Sequence, residues 1–447
     1  MSGFSETRRQ AVHMAMGLFA LALRYLTWWQ AAACAVASFL FNLFALPLVG
    51  GASLYRPVDA ARGYPLGILF YPLSVLVLVL AFPRRPDIVA SAWGIMAVGD
   101  GAATIVGRRV GGGRLPWNEA KTVAGTVALA VAGGAAGVAL AAWTRPAVAP
   151  LPPLAFVVLA PLAASCAAAL VESLPVRLDD NISVPITAGI VLGALGLMDE
   201  ASVLAAAATL RPSLALALAV NVPVAFLGWR AGGVTTPGAV TGAIIGILVL
   251  TFSGLAGWAL LFASFVLATA STRLGLARKA VLGIAEERGG RRGPGNAIAN
   301  TGLAALAAAV AGLSPYREGA LLVMVAALAA GASDTVASEV GKVWGRRTFL
   351  FPSFRPVRPG TSGAVSVEGT AAGVVSALGL SGLGVALGLI PGSALWFATI
   401  GATIGGFVES GLGATLEARG LLNNDMLNFI NTGTAAAAAV AIAWLFR

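Results

Sequence analysis

An aspartate, a hydroxyl and two glycines recur at one spacing in two places of this chain. Asp100, Thr104, Gly107 and Gly111 stand at i, i+4, i+7 and i+11, and so do Asp334, Ser338, Gly341 and Gly345. At 3.6 residues per turn these positions share one helix face. Each stripe thus presents a carboxylate, a hydroxyl and then bare backbone, and runs into a basic loop. A second acid follows at a matching distance. Val171-Glu-Ser173 recurs as Val408-Glu-Ser410, so Glu172 lies 72 residues after Asp100 and Glu409 lies 75 after Asp334. Lys121-Thr-Val-Ala-Gly-Thr126 matches Val365-Ser-Val-Glu-Gly-Thr370, and Asp179-Asp180-Asn181 has a counterpart in Asn423-Asn424-Asp425, with Asn428 beyond. A helix-packing stripe ending in an acid accounts for one copy alone. Four polar landmarks in one order, twice, indicate duplication or the fusion of two distant relatives.

The acids form two sets, Asp100, Glu172, Asp180 and Asp334, Glu409, Asp425. Ionisable groups within apolar segments are costly unless paired, which makes them candidates for function. Hard carboxylate oxygens suit Mg²⁺, which is held by a few carboxylates together with substrate phosphates. No GxxxxGK[ST] loop exists, so bound phosphates would rest on glycine-rich backbone and on Lys and Arg. One histidine and two separated cysteines supply neither a zinc set nor a CxxC pair.

The elements that must position these groups are membrane helices. Of 447 residues 58% are hydrophobic and 11% charged, and mean hydropathy is +0.87. A soluble domain carries about twice that charge fraction. A bilayer core takes roughly 20 apolar residues per helix. Suitable stretches are 30–50, 64–82, 87–106, 122–143, 152–172, 184–198, 213–228, 236–252, 255–272, 296–313, 317–333, 364–390, 393–416 and 428–445, with a shorter, partly interfacial one at 11–26. The expected fold is an all-α polytopic membrane protein of about fourteen helices in two tandem halves, 1–205 and 206–447. The junction falls near 200–212, where Met198-Asp-Glu200 and Arg211-Pro212 interrupt the apolar pattern. No cleavage site for a removable signal peptide follows the polar start.

The net charge of +10 is gathered in three clusters: Arg108, Arg109, Arg114 and Lys121; Arg273 through Arg292; and Lys342, Arg346, Arg347, Arg355 and Arg358. Positive-inside topology is a sufficient cause, and a polyanionic substrate is compatible with it. Arg84 and Arg85 lie one span from the first cluster, which conflicts with that rule unless 87–106 does not fully cross. Trp28, Trp29 and Trp117 read as interfacial anchors.

The residues carry a resemblance to two families. Arg8-Arg9-Gln-Ala-Val-His13, Asp100-x-x-x-Thr-x-x-Gly-Arg, Asn118-Glu-Ala-Lys121-Thr-x-x-Gly125-Thr126 and Glu172-Ser through Asp180-Asn181-x-x-x-Pro185 make the first half similar to the CTP-dependent phytol and dolichol kinases, which are related to phosphatidate cytidylyltransferases. Gly232-Gly-Val-Thr-x-x-Gly-Ala239, Arg292-Gly-x-x-Asn296-x-x-x-Asn300, Ser333-Asp334-Thr-x-x-Ser-Glu339, Pro359-Gly-Thr-Ser-Gly363 and Glu409-Ser to Asn428 make the second half resemble the DUF92 membrane family, which includes the phytyl-phosphate kinases. The pair implies a long isoprenoid alcohol (phytol, geranylgeraniol or a polyprenol) taken to its monophosphate and then to its diphosphate. The donor is a nucleoside triphosphate, CTP or another, with Mg²⁺, in a cytoplasmic membrane of a bacterium or archaeon with sites facing the cytoplasm. No nucleic acid is implied.

On that reading Asp100, Glu172 and Asp180 take metal or base roles in the first site. Arg108, Arg109 and Lys121 take phosphates, and Asn118, Thr122, Gly125, Thr126 and Asn181 line the site. In the second site Asp334, Glu409 and Asp425 take the acidic roles. Arg346, Arg355, Arg358 and Lys342 neutralise charge, and Asn296, Asn300, Ser338, Thr361, Ser362, Asn424 and Asn428 complete the lining. Lys121 aligns with Val365, so the second site lacks that lysine, and its 345–369 loop is ten residues longer than 111–125. A monophosphate acceptor carries about two negative charges, which would favour the extra arginines of that loop. His13 reads equally as an interfacial helix residue or as a catalytic or phosphate-contacting one.

Two other readings stay open. Repeated halves, glycine-broken helices and acids in spans also build secondary transporters, although these acids cluster towards span ends beside basic loops. A cytidylyltransferase making a CDP-activated lipid would use the same groups.

Overall fold

The computed structural model describes residues 6–49, 55, 65–174, 179–275, 279 and 290–446. The middle of the basic run between Arg273 and Arg292 lies outside the described residues, apart from Lys279. The chain divides into two compact units, Met1–Gly196 and Leu197–Arg447. The division precedes the segment 200–212, because Glu200–Arg230 is one helix that runs through Pro212.

The first unit holds α1 (Glu6–Met16, continued by a 3₁₀ stretch Gly17–Arg24), α2 (Trp28–Ala45), α3 (Leu66–Ala81), α4 (Pro86–Val110), α5 (Val123–Ala147), α6 (Leu154–Ser173) and α7 (Asp180–Gly196). The second holds α8 (Glu200–Arg230), α9 (Thr236–Arg273), α10 (Pro294–Leu313), α11 (Arg317–Trp344), α12 (Val367–Ala386), α13 (Ala394–Glu417) and α14 (Asn424–Leu445). Eleven of these helices are long and apolar enough to cross a bilayer, and α3 and α7 are shorter apolar helices. Helix α9 is 38 residues long and breaks at Gly254, whose φ of 73° no L side chain adopts cheaply. It therefore covers both apolar stretches, 236–252 and 255–272. Among the described residues the fold is that of an all-α polytopic membrane protein.

The charge conflict at Arg85 has a local cause. Arg85 grips Asp87 through two bonds, Nε to Oδ1 at 2.9 Å and Nη2 to Oδ2 at 2.8 Å, and its guanidinium lies over Phe156. Asp87 is fully buried in the first turn of α4, so Arg85 is its counter-ion. Helix α4, at 25 residues, is long enough to cross.

Both units share a helix–hairpin–helix module. In the first, α4 is joined to α5 by strands β1 (Arg114–Leu115) and β2 (Asn118–Thr122). In the second, α11 is joined to α12 by β3 (Thr348–Leu350), β4 (Arg355–Pro356) and β5 (Ala364–Ser366), ordered β4-β3-β5. These short hairpins were not legible from hydropathy, which sees only polar loops there. Thr122 caps α5 by accepting from Gly125 N at 3.1 Å, and Ser366 caps α12 by accepting from Gly369 N at 3.1 Å. The helices cross on the paired glycines. A Cβ on Gly125 would stand 3.1 Å from the Ala103 carbonyl oxygen, and one on Gly369 would stand 2.5 Å from that of Ala337. Ala103 and Ala337 occupy the same place in the two stripes, so the sequence repeat is also a packing repeat.

Candidate active sites

In the first unit Asp100 closes a π-helical turn, Ile95–Asp100, inside α4. Such single-turn bulges re-aim side chains and are frequent at functional sites. Glu172 sits at the C-terminal end of α6 and Asp180 begins α7. One carboxylate oxygen from each of the three acids lies within 4.8 Å of the others. Among the described residues this is the one group of three or more His, Cys, Asp or Glu side chains placed to hold a metal ion. Strand β2 delivers Lys121 to it, where Nζ bonds Glu172 Oε1 and reaches Asp180 Oδ2 at 3.2 Å. Burial alone would lower the Lys121 pKa, but the Asp180 and Glu172 charges and hydrogen bonds outweigh it and hold the group above its ordinary value.

His13, from α1, is buried with Nε2 3.5 Å from Asp100 Oδ2 and 3.3 Å from the Met96 carbonyl. Tyr71 packs edge-on against its ring and Trp93 Nε1 donates to the Tyr71 hydroxyl at 2.9 Å. The site therefore gathers α1, α3, α4, α6, α7 and the β1–β2 hairpin. Asn118 anchors that hairpin by donating to the Ser173 and Leu174 carbonyls at 3.1 and 3.2 Å, just past Glu172. Thr126 Oγ1 is buried without a hydrogen-bond partner. Asn181 donates to Asp179 Oδ1 at 2.8 Å. Arg108 is exposed with Nη2 3.9 Å from Glu6 Oε2, and Arg109 is exposed.

The second unit has the corresponding cavity, about 360 Å³, lined by Asp334, Ser338, Lys342, Thr361, Ser362, Glu409 and Asn424 among others. Glu409 is buried beside Asp334 and Asn431, and its Oε2 accepts no hydrogen bond. The structure keeps other expected residues apart from this cavity. Asp425 packs on Gly295 in the first turn of α10. Arg346, Arg355 and Arg358 are exposed and do not line it, because β3 and β4 carry the loop arginines away to solvent. Asn296 and Asn300 line a different cavity, and Asn428 is buried in α14.

Helix starts explain the displacement of Asp425. Asp179 and Asn423 each precede the first residue of their helices, so Asp180 and Asn424 are equivalent, as are Asn181 and Asp425. The packing agrees. Asn181 faces Gly67 in the first turn of α3 just as Asp425 faces Gly295. At the position of Asp180 the second unit thus has an amide.

Three second-unit groups escaped sequence reading. Glu417, at the end of α13, accepts from Ser362 and lines the cavity. Glu339 is buried between Lys279, which bonds its Oε2, and Lys342, whose Nζ lies 2.8 Å from its Oε1. Glu339 aligns with Ile105, so a search by repeat passes over it, although it stands in the Ser333-Asp-Thr-x-x-Ser-Glu339 stretch.

Residues 219–436 match the family model described as integral membrane protein DUF92. An uncharacterised membrane protein of Synechocystis sp. is 42% identical over 202 residues, covering 44% of this chain and 78% of the relative. The chloroplast protein VTE6 of Arabidopsis thaliana is 34% identical over 257 residues, 55% of this chain and 76% of that one. Probable phytol kinase 3 of Glycine max is 36% identical over 123 residues, 27% of this chain and 38% of that protein. No solved structure matches. With residues 219–436 matching the model and more than three quarters of two relatives aligned, the chain belongs to the DUF92 family of integral membrane proteins.

Proposed function

We propose that this protein is a two-site membrane kinase of long-chain isoprenoids. The first unit phosphorylates an isoprenoid alcohol, and the second phosphorylates the resulting monophosphate to the diphosphate. The observation that supports it most is the convergence of Asp100, Glu172 and Asp180 around Lys121, beside a recurring Asp334–Glu409 cavity. The relative named a phytol kinase supports the substrate class, and the family resemblance of the first half supports CTP as donor.

Phosphoryl transfer asks for positioning and charge neutralisation more than for covalent help. In the first step the alcohol oxygen attacks the γ-phosphorus and the bond from that phosphorus to the β,γ-bridging oxygen breaks. The alcohol proton passes to Asp100, beside which His13 stands, and the nucleoside diphosphate leaves. Lys121, kept charged by Glu172 and Asp180, lies where it can meet phosphate oxygens. Three hard carboxylates with oxygens within 4.8 Å fit Mg²⁺. Asp100, Glu172 and Asp180 would hold it, and Asp334 and Glu409 would do so in the second unit. Bound there, the ion would neutralise charge on the transferring phosphate.

The test uses purified protein, an isoprenoid alcohol and CTP labelled on the γ-phosphate or on the cytidine. γ-Phosphate in lipid supports the kinase, whereas CMP in lipid means a cytidylyltransferase and no transfer favours a transporter. Asp100→Asn should reduce monophosphate formation by roughly a hundredfold or more. Asp334→Asn should accumulate monophosphate without diphosphate. With the second step assayed separately on added monophosphate, equal loss of both steps in either variant sinks the two-site reading.

A further inference from the structure

We infer that a narrow apolar groove in the second unit binds the hydrocarbon tail of an isoprenyl monophosphate, with the phosphate at Arg292; the inference rests on the two-site reading above. The groove, about 140 Å³ and distinct from the 360 Å³ acid cavity, is walled by α8, α9, α10 and α11. Trp258, Phe262 and Phe265 form its aromatic side, with Trp258 and Phe262 stacked at 5.2 Å. Its walls are mostly apolar, as a hydrocarbon chain requires.

One end is polar. Arg292 is the single charged residue on the lining, and Asn296 Oδ1 accepts from its Nη1 at 3.1 Å, which orients the guanidinium. One cation at the end of an apolar slot complements one anionic headgroup on an apolar tail, and a planar guanidinium matches phosphate geometry. Asn300, one turn further along α10, donates to the Asn296 carbonyl at 3.0 Å, yet its own Oδ1 is buried and accepts nothing. A buried acceptor left without a donor is costly, and a P–OH group would satisfy it.

Position favours the same occupant. Gly331 and Ala332 line the groove, and the next residues, Ser333 and Asp334, line the acid cavity. The two cavities therefore meet across one turn of α11. A monophosphate held at Arg292 and Asn300 would present its oxygen towards the turn bearing Asp334, with donor and acceptor entering from different sides. The transfer is balanced: a monophosphate oxygen bonds the γ-phosphorus, the bond to the β,γ-bridging oxygen breaks, and the nucleoside diphosphate departs with those electrons.

Gly242 supplies the test. It lines the groove midway along the first arm of α9, and a Cβ built there meets nothing within 4 Å. Gly242→Phe should therefore fill the slot without displacing backbone. Equilibrium binding of radiolabelled geranylgeranyl monophosphate and dimethylallyl monophosphate to the purified full chain is measured directly. The long-chain Kd should rise about tenfold or more, from the loss of two or more methylene-sized contacts, and the ratio of long-chain to short-chain Kd should rise with it. Ala243→Leu should act in the same direction and guards against misfolding of the phenylalanine variant. Arg292→Leu should weaken both lipids about equally, with partial rescue by Arg292→Lys. An unchanged chain-length ratio in both groove variants overturns the inference. Binding that behaves as described, with no diphosphate formed by the wild-type protein, instead overturns the two-site reading and leaves the groove standing.

Discussion

Glu339 is held by two lysines of unequal exposure, and this asymmetry makes a sharp stability prediction. Lys279 and Glu339 are each 1% exposed, whereas the Lys342 side chain is 20% exposed. Replacing Glu339 by leucine leaves Lys279 charged and buried, with the Thr272 carbonyl at 2.6 Å as its remaining described partner. Removing one member of a buried pair costs about 3–5 kcal/mol. Replacing Lys279 by methionine is milder, because Glu339 keeps its 2.8 Å bond to Lys342. The variant loses the Lys279 bonds to Glu339 and to the Thr272 carbonyl but strands no unpaired buried charge, so it should cost less than the Glu339 variant. The double variant Lys279→Met, Glu339→Leu buries no unpaired charge, and Lys342 can turn to water. It should lie within about 2 kcal/mol of wild type. Denaturant titration in detergent micelles of the four proteins of this cycle measures all three costs. Equal costs for the two single variants, or a double variant that simply sums them, would refute the reasoning. Lys342→Ala should cost under about 1 kcal/mol, while the second phosphorylation falls, since Lys342 lines the acid cavity.

Two further outcomes follow from the same geometry. Because Lys121 titrates above its ordinary value of 10.5, its charge is complete below that pH. The stability it contributes is lost only as pH rises through the raised folded value. The pH profile of alcohol phosphorylation should therefore show no Lys121 limb across the neutral and mildly alkaline range. Lys121→Met should abolish the step at every pH, and a limb near neutrality that moves in Lys121→Arg would contradict this. At the two helix crossings, Gly369→Ala should destabilise by about 1–3 kcal/mol through overpacking, because its Cβ would meet backbone oxygen at 2.5 Å. Gly125→Ala, at 3.1 Å, should cost less. Micelle unfolding of the two variants reads the difference, and the reverse order would show that the repeated crossings are not equivalent.

Much of this protein is determined by sequence alone. The apolar stretches require membrane helices, because a bilayer satisfies no backbone polar group outside a helix or closed barrel. The repeated stripes set Asp100 and Asp334 on equivalent faces, because side-chain direction on a helix follows from spacing. The matching Thr122 and Ser366 mark true helix caps, since capping is a local chemistry. What spacing could not decide is how helices meet through loops of different length. The acid expected at Asp425 is an amide, Asn424, at the site, because the cap at Asn423 and not the nearest carboxylate sets the register. The loop arginines Arg355 and Arg358 point to solvent because a three-stranded hairpin takes up the extra residues. Lys279 and Glu417 reach groups of the second unit that the repeat does not point to, and Lys342, the counterpart of Arg108, turns to Glu339 where the first half has Ile105. Such pairings depend on distances between segments far apart in the chain, and only the packed helices supply them.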